Sequence, residues 1–130
     1  MNKVVEELKK TRVFYVATVE NDQPRVRPFS SVTEIDGQPY LCTGNKKDVW
    51  AQMMKNPKIE ISGMTSEDTW VRVTARAVRD DNDAHRAAML ADPTGPSKLY
   101  TVGDGVFEVL RLEDVKAVRY SFTKAPEVIA

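Results

Sequence analysis

The order of apolar and polar residues predicts a chain made mainly of β-strands, with a few short helices. Residues 2–10 place Val4, Val5 and Leu8 on one helical face and charged residues on the others, which is typical of a short amphipathic helix. Residues 12–20 are rich in β-branched and aromatic side chains, and this composition favours a strand that is apolar on both faces. A helix followed directly by a strand is therefore expected at the N-terminus.

Two further strands are expected before the next helix, at residues 25–34 and 38–43. The polar stretch 21–24 indicates a turn, and Asp36-Gly37 is typical of a tight hairpin. Proline disfavours helical geometry in the residue before it, so the helix that follows should end before Asn56-Pro57.

The second half of the chain also alternates apolar and polar residues. The pattern predicts strands over 58–62 and 69–79, a helix over 80–91, and a last strand or pair of strands over 105–120. We therefore expect a mainly β, α+β fold: a six-stranded antiparallel barrel that closes its own edges, with short flanking helices. No repeat or linker interrupts the pattern, so residues 1–130 are expected to form a single domain.

Charge and composition narrow the class of ligand. The chain has 19 basic and 19 acidic residues, and this balance leaves no electrostatic footprint for nucleic acid or a membrane surface. One cysteine and one histidine are too few for a disulfide or a structural zinc site. The sequence has no signal-peptide pattern and no run near the ~20 apolar residues of a membrane span. We expect a cytoplasmic protein whose partner is a small molecule or another protein.

The clearest chemical signal lies at the start of the second helix. Lys46 and Lys47 are expected in its first turn, with Asn45 as the capping residue and Asp48 completing an imperfect capping box. Lysine is unfavourable in a first turn, because the helix dipole is already positive there and the free N–H groups point outward. A helix N-terminus that carries two ammonium groups is suited to a phosphate.

A pair of arginines gives a second cationic signal. Period-two alternation places Arg25 and Arg27 on the same strand face as Phe29. Two arginines on one face of a barrel strand must reach water, a carboxylate or a ligand anion. The simplest alternative is that both extend to solvent beside Glu20 or Glu34.

Four segments, taken in order, resemble a known family. They are residues 21–29, residues 37–43, Asn45-Lys46-Lys47 and Asn56-Pro57. Over nearly the whole chain they are similar to the pyridoxamine 5'-phosphate oxidase-like family of FMN-binding split barrels. The similarity is greatest to its short members, often labelled nitroimidazole-resistance or general-stress proteins. The resemblance implies a split β-barrel that binds FMN between the two subunits of a homodimer.

The resemblance also implies roles for individual residues. Arg27 matches a family arginine that contacts the FMN phosphate, and Lys46 and Lys47 match an Arg-Lys pair that binds the same phosphate. Thr43 matches a threonine that ends the third strand. The phosphate site inferred from the helix start and the phosphate site of the family therefore coincide.

Other residues are placed by position rather than by identity. Pro28, Phe29 and Cys42 would lie along the flavin ring, since a proline interrupts strand pairing and frees backbone groups for a planar ring. Trp70 would approach the flavin from the partner subunit, whereas Trp50 is expected to pack its helix against the barrel, with flavin contact secondary. The expected cofactor-binding residues are Arg25, Arg27, Pro28, Phe29, Cys42, Thr43, Lys46, Lys47, Trp50 and Trp70.

Two departures from the family's oxidases define the expected activity. Val32 stands where the oxidases have a lysine, and residues 121–130 lack their substrate-binding arginine and histidine. We therefore expect an FMN-dependent oxidoreductase that passes electrons or hydride to a small acceptor, such as a quinone or a nitroaromatic, and not a true pyridoxamine phosphate oxidase. The alternative is a non-catalytic protein that binds flavin, haem or a deazaflavin, or a stress-response protein with the same barrel.

Two further residues have competing interpretations. Cys42 is expected to be an inert packing residue, unless Lys46 and Lys47 lower the pKa of its thiol. His85 is expected to be solvated or to cap a helix rather than to act as a base. No catalytic acid or base is evident, which suits redox chemistry carried by a cofactor.

Overall fold

The computed structural model describes residues 2–130. Within that range the chain forms three helices and eight strands, and all the strands belong to one antiparallel sheet. The helices are α1 (Lys3–Thr11), α2 (Asp48–Lys55) and α3 (Asp83–Ala91). The strands are β1 (Phe14–Glu20), β2 (Gln23–Phe29), β3 (Thr33–Ile35), β4 (Gln38–Gly44), β5 (Lys58–Met64), β6 (Thr69–Arg79), β7 (Phe107–Ser121) and β8 (Glu127–Val128).

The predicted α+β class is confirmed, while the predicted number of six strands is wrong. The expected strand 25–34 divides into the end of β2, an irregular segment and β3. It divides because Ser31 and Val32 bond to Thr94 instead of to a neighbouring strand. The Val32 N–H donates to the Thr94 hydroxyl at 3.0 Å, and the Ser31 hydroxyl donates to the Thr94 carbonyl at 2.6 Å. The other additional strand, β8, is a two-residue pairing with β7.

The two outer strands of the sheet are consecutive in the chain. The strand order is β2-β1-β5-β6-β7-β4-β3, yet only residues 30–32 separate β2 from β3. A linker of this length spans roughly 14 Å at most, so the sheet has to curl until its two edges approach each other. We call the line where these unpaired edges meet the seam.

Asp92, the residue just after α3, forms hydrogen bonds to two other elements beside the seam. Asp92 Oδ2 accepts a hydrogen bond from the Thr33 hydroxyl at 2.7 Å and another from the Lys9 ammonium at 2.9 Å. Burial alone would raise the pKa of Asp92, but these bonds and those from Thr94 hold it below the ordinary aspartate value. The charged carboxylate therefore joins α1, β3 and the end of α3.

Two apolar clusters lie on opposite faces of the curled sheet. In the larger cluster, Val4, Val5 and Leu8 of α1 pack against buried side chains of the strands, which confirms the amphipathic helix predicted at the N-terminus. The smaller cluster lies between α3 and the strands β3, β4 and β7. Because β4 is covered on both faces, Pro39–Gly44 are all buried. This buried strand lies next to the seam.

A buried carboxylate joins α1 to the longest strand. Glu7 is only 3% exposed, and its carboxylate pairs with Arg119 of β7 and with Lys10 Nζ at 3.1 Å. Arg119 also pairs with Glu127 of β8 at 2.7 Å. Burial alone would raise the pKa of Glu7, but the two cations outweigh it and hold the pKa below the ordinary glutamate value. Glu7 is therefore charged at neutral pH.

Glu7→Gln should lower the free energy of unfolding at neutral pH by about 1–3 kcal/mol, because Arg119 and Lys10 lose their charged partner. A carboxylate with a lowered pKa stabilises the fold above its unfolded-state pKa of about 4.3. This contribution is lost as the pH falls through the lower folded-state value. The wild-type protein should therefore lose stability in acid more steeply than the variant. Urea denaturation between about pH 7 and about pH 3 measures both effects.

Glu60→Gln is the matched control, since Glu60 pairs with Arg72 at 3.1 Å on the surface and both side chains are roughly half exposed. Its effect should stay within about 0.5 kcal/mol. Equal losses in the two variants, or the same acid sensitivity in Glu7→Gln as in the wild type, would contradict the role given to Glu7.

Candidate functional site

A cleft of about 190 Å³ lies at the seam. Its walls come from the end of β2, from β4, from the start of α2 and from the connection between α3 and β7. We call it the seam cleft. Six of the ten residues predicted to bind a cofactor line it, namely Arg27, Pro28, Phe29, Cys42, Thr43 and Lys47.

A second space adjoins the seam cleft. It is a groove of about 520 Å³ between β2 and α2, and Arg25 and Gln52 are among its lining residues. We call it the β2–α2 groove. Arg27, Lys47 and Val49 line both spaces. The two cations therefore stand at the junction of the cleft and the groove.

Arg27 is held in place by neutral partners. Its Nη1 donates to the Thr18 hydroxyl at 2.6 Å, and its Nη2 donates to Gln52 Oε1 at 2.6 Å. Burial lowers the pKa of Arg27 from its ordinary value, with Asp48 acting in the opposite direction, and the guanidinium remains charged. Its planar group is thus oriented but not neutralised.

Arg27 is unusual in having no acidic partner. Within residues 2–130, every other arginine except the exposed Arg12 forms a salt bridge with a carboxylate. Arg25 is one of these, since it pairs with Glu20 at 3.0 Å and both side chains are about half exposed. The solvent-exposed alternative considered for the arginine pair therefore describes Arg25 but not Arg27. A half-buried guanidinium without a counter-ion is suited to bind an anion.

The helix after β4 begins two residues later than predicted. α2 starts at Asp48, so Lys46 and Lys47 precede its first turn, and Lys47 is the N-cap residue. The predicted capping role of Asn45 is wrong, because its amide donates instead to the Gly105 carbonyl at 2.9 Å and to Glu108 at 3.1 Å.

The N-terminus of α2 therefore has no side-chain cap. Lys47 lines both spaces, while Lys46 is exposed and lines neither. Neither lysine forms a salt bridge with the residues that the structure describes. The uncapped helix end and one ammonium group thus face the same junction as Arg27.

Two neighbouring residues of β4 complete this end of the cleft. The Thr43 hydroxyl forms no hydrogen bond within residues 2–130, and it is not sealed from solvent. Burial raises the pKa of the Cys42 thiol to about 12, against opposing effects of Ser31 and Lys47. At neutral pH the thiol is protonated, which agrees with the interpretation of Cys42 as an inert packing residue.

The two tryptophans lie outside the seam cleft. Trp50 is half-buried and packs against the larger apolar cluster, with the Arg79 guanidinium 5.9 Å from its ring centre. Trp70 stacks on Tyr120 at 5.7 Å and lies 4.9 Å from Phe122, ring centre to ring centre. It lines an apolar depression of about 400 Å³ that extends over β1, β5 and β6, and Trp70 itself lies on β6, three strands from β2 in the sheet. Within one chain, neither tryptophan lines the seam cleft or the β2–α2 groove, the two spaces that Arg27 lines.

His85 also lies elsewhere. Its Nδ1 bonds to Asp80, whose carboxylate accepts a second hydrogen bond from the Tyr40 hydroxyl at 2.7 Å. The backbone N–H of His85 is capped by Asn82 at 3.0 Å. His85 therefore belongs to the polar network at the start of α3 and not to the seam cleft.

Sequence reasoning missed four residues that shape the site. Thr18 and Gln52 orient Arg27, while Leu99 and Tyr100 form a wall of the seam cleft. The polar Gln52 on the apolar face of α2 is a signal that was available in the sequence. Leu99 and Tyr100 lie in a connection whose sequence has no periodic pattern, so nothing in the sequence marks them as cleft residues.

The arrangement suits a small phosphorylated ligand with an apolar body. Two unpaired cations, a free hydroxyl and an uncapped helix end meet at one point, and apolar side chains continue along the cleft. Among residues 2–130 there is no group of three or more His, Cys, Asp or Glu side chains arranged to hold a metal ion. No helix in that range is long and apolar enough to cross a membrane.

Solved structures with the same fold come from several bacteria. A NimC/NimA family protein from Clostridium acetobutylicum is 39% identical, with a TM-score of 0.94 over 98% of this chain and 90% of that one. General Stress Protein 26 from Bacillus anthracis is 15% identical, with a TM-score of 0.72 over 97% and 95%. A heme binding protein from Mycobacterium smegmatis is 19% identical, with a TM-score of 0.76 over 98% and 56%.

Sequence comparison agrees with the structural similarity. No curated protein is significantly similar in sequence to this chain. Residues 1–118, however, match the family described as pyridoxamine 5'-phosphate oxidase. Together with the 39% identity to the NimC/NimA family protein over nearly the whole chain, this match shows that the chain belongs to the pyridoxamine 5'-phosphate oxidase family.

Proposed function

We propose that the protein binds FMN, with the phosphate at the junction of the seam cleft and the β2–α2 groove. The observation that carries this proposal is that Arg27 and Lys47 both line the two spaces, and that neither forms a salt bridge with any of residues 2–130. A phosphate with nearly two negative charges matches two cations that have no acidic partner among residues 2–130.

Each residue at the junction has a distinct part in holding the phosphate. Arg27 offers a planar, fixed set of N–H donors, because Thr18 and Gln52 hold its guanidinium. Lys47 adds a point charge, Thr43 adds a hydroxyl, and the uncapped end of α2 adds free backbone N–H groups.

The end of β2 suits the flavin ring. Among residues 2–130, β2 pairs with β1 alone, so its outer edge has backbone groups without a strand partner in that range. Pro28 is tolerated there because an edge strand needs fewer ladder bonds. Phe29, half-buried beside Phe14 at 6.3 Å between ring centres, holds this edge against the core. A planar heterocycle can lie against such an edge and bond to its free groups.

We further propose that the protein is an oxidoreductase with a small acceptor, such as a quinone or a nitroaromatic. Bound FMN would supply hydride and electron transfer, with a reduced nicotinamide as the donor and a quinone, reduced to the hydroquinone, or a nitroaromatic as the acceptor. The side chains of this chain bind and orient the reactants. The protonated Cys42 thiol and the permanently charged Arg27 do not exchange protons at neutral pH.

A homodimer is part of the same proposal. Tyr15, Met64 and Phe122 are large apolar side chains, 50%, 47% and 72% exposed, beside Trp70 on one face of the sheet. Contiguous exposed apolar surface of this kind is typical of protein interfaces. In a dimer that covers this face, Trp70 of one subunit is available to the flavin of the other.

A non-catalytic flavin-binding or stress-response role is the second candidate function. It is favoured by the lining of the seam cleft, which among residues 2–130 contains no histidine, aspartate or glutamate side chain that could donate a proton to a substrate. Haem is a weaker candidate, since His85 does not line the cleft. Oxidation of a reduced nicotinamide, dependent on added naphthoquinone or nitroaromatic, distinguishes the oxidoreductase from the binding protein.

The FMN site can be tested directly by an absorbance spectrum of the purified protein, before and after FMN is added and the excess is removed. We expect both flavin bands to persist through desalting, because the phosphate neutralises Arg27 and Lys47. A protein that stays colourless and shows no micromolar affinity for FMN in a titration would overturn the proposed function.

Lys47→Ala should weaken FMN by about tenfold or more, the effect of losing one charge-assisted hydrogen bond. Riboflavin should be affected little, because it has no phosphate. Lys46→Ala should have a smaller effect on FMN, since Lys46 lines neither space, and the double variant should follow Lys47→Ala. Fluorescence titrations with both flavins give the two dissociation constants.

Lys55→Ala is the control for this series, because Lys55 is an exposed lysine at the opposite end of α2. It should bind both flavins as the wild type does. Equal losses of FMN and riboflavin affinity in Lys47→Ala would show that the lysine does not contact the phosphate.

A further inference from the structure

We infer that Leu99 and Tyr100 form the wall that the second substrate contacts, and that they select an uncharged, planar aromatic molecule. This inference rests on the proposed FMN site and names the substrate class of that site. Both residues lie in the connection between α3 and β7, residues 92–106, and both line the seam cleft together with the end of β2.

Leu99 has no packing role that explains its position. Its side chain is 75% exposed and belongs to neither apolar cluster, yet it lines the seam cleft. A large apolar side chain at the mouth of a cleft gains contact area when an apolar molecule enters.

The wall is held rigidly. The N–H groups of Leu99 and Tyr100 both donate to the Pro96 carbonyl, at 3.0 and 3.2 Å. The Tyr100 ring stacks on Phe107 at 5.1 Å between ring centres. Asp104 accepts hydrogen bonds from three backbone N–H groups of the same connection and of β7, which hold the pKa of its carboxyl below the ordinary value.

The close fit of Tyr100 depends on a glycine. A Cβ atom at Gly44 would lie 2.7 Å from the Tyr100 hydroxyl oxygen, well inside contact distance. The ring therefore rests directly on the end of β4, next to Thr43 of the proposed phosphate site. The wall is preformed and adjoins the cofactor position, as a substrate-binding surface requires.

The charge of the cleft determines the substrate class. Once a phosphate occupies Arg27 and Lys47, the other residues of the cleft are uncharged, including the protonated Cys42 thiol. A charged substrate would have to enter without a counter-ion, which is costly. The Tyr100 hydroxyl, which forms no hydrogen bond within residues 2–130, can donate to a carbonyl or nitro oxygen of a neutral aromatic molecule.

The test uses the oxidised, FMN-loaded protein with two probes that differ in charge, 2-methyl-1,4-naphthoquinone and 1,4-naphthoquinone-2-sulfonate. Quenching of flavin fluorescence gives their dissociation constants without turnover. The wild type should bind the neutral quinone more tightly. Leu99→Ser should weaken the neutral quinone about tenfold, and Leu99→Lys should shift the preference toward the sulfonate. Tyr100→Phe should weaken the neutral quinone about fivefold.

Val102→Ser is the matched control, because Val102 lies in the same connection, is 41% exposed and does not line the seam cleft. It should bind both probes as the wild type does. FMN should be retained equally by all these variants, which also reports that they are folded. Unchanged quinone binding in FMN-loaded Leu99→Ser and Leu99→Lys would overturn this inference alone. A wild-type protein that retains no FMN would overturn the proposed function and this inference with it.

Discussion

The rest of the structure depends on the short passage from β2 to β3. Three residues carry the chain from one edge of the sheet to the other, and residues 31–33 bond to Thr94 and Asp92 at a point where the two edge strands are not paired with each other. The sheet is therefore curled but open along one line. Without that opening, the end of β2 would be covered by a neighbouring strand. With it, Arg27 meets Thr43 and Lys47 from another part of the chain, at a point that a ligand can enter.

The distribution of ion pairs separates cations that hold the fold from cations available to a ligand. Arg86 is 8% exposed and is surrounded by Asp81, Asp83 and Glu108, so its charge is compensated within the protein. Glu108 also accepts from Asn45 and so braces the turn that carries Lys46 and Lys47. Among residues 2–130, Arg27 forms hydrogen bonds with neutral groups alone, at a cost in folding free energy that a bound anion would offset. Glu108, which pairs with Arg86, thus also holds the turn that carries Lys46 and Lys47.

The sequence was sufficient for most of the fold and for part of the site. Periodicity located all three helices and six of the strands, because long periodic segments follow their own pattern. It missed the division of the second strand, since the bonds of Ser31 and Val32 to Thr94 join residues far apart in the sequence. The capping role of Asn45 failed for the same reason: its partners, Gly105 and Glu108, are distant in sequence. Rules that use only neighbouring residues in the sequence cannot anticipate hydrogen-bond partners this far apart.

The protonated state of the Cys42 thiol bears on how well the proposed cofactor site would resist oxidation. Reduced flavins that meet oxygen produce hydrogen peroxide, and peroxide attacks thiolates far faster than thiols. In the proposed FMN complex, the Cys42 thiol, with a pKa of about 12, would be almost entirely in the unreactive protonated form at the pH of a cell. The burial that keeps this thiol protonated would therefore also protect the proposed cofactor site from peroxide.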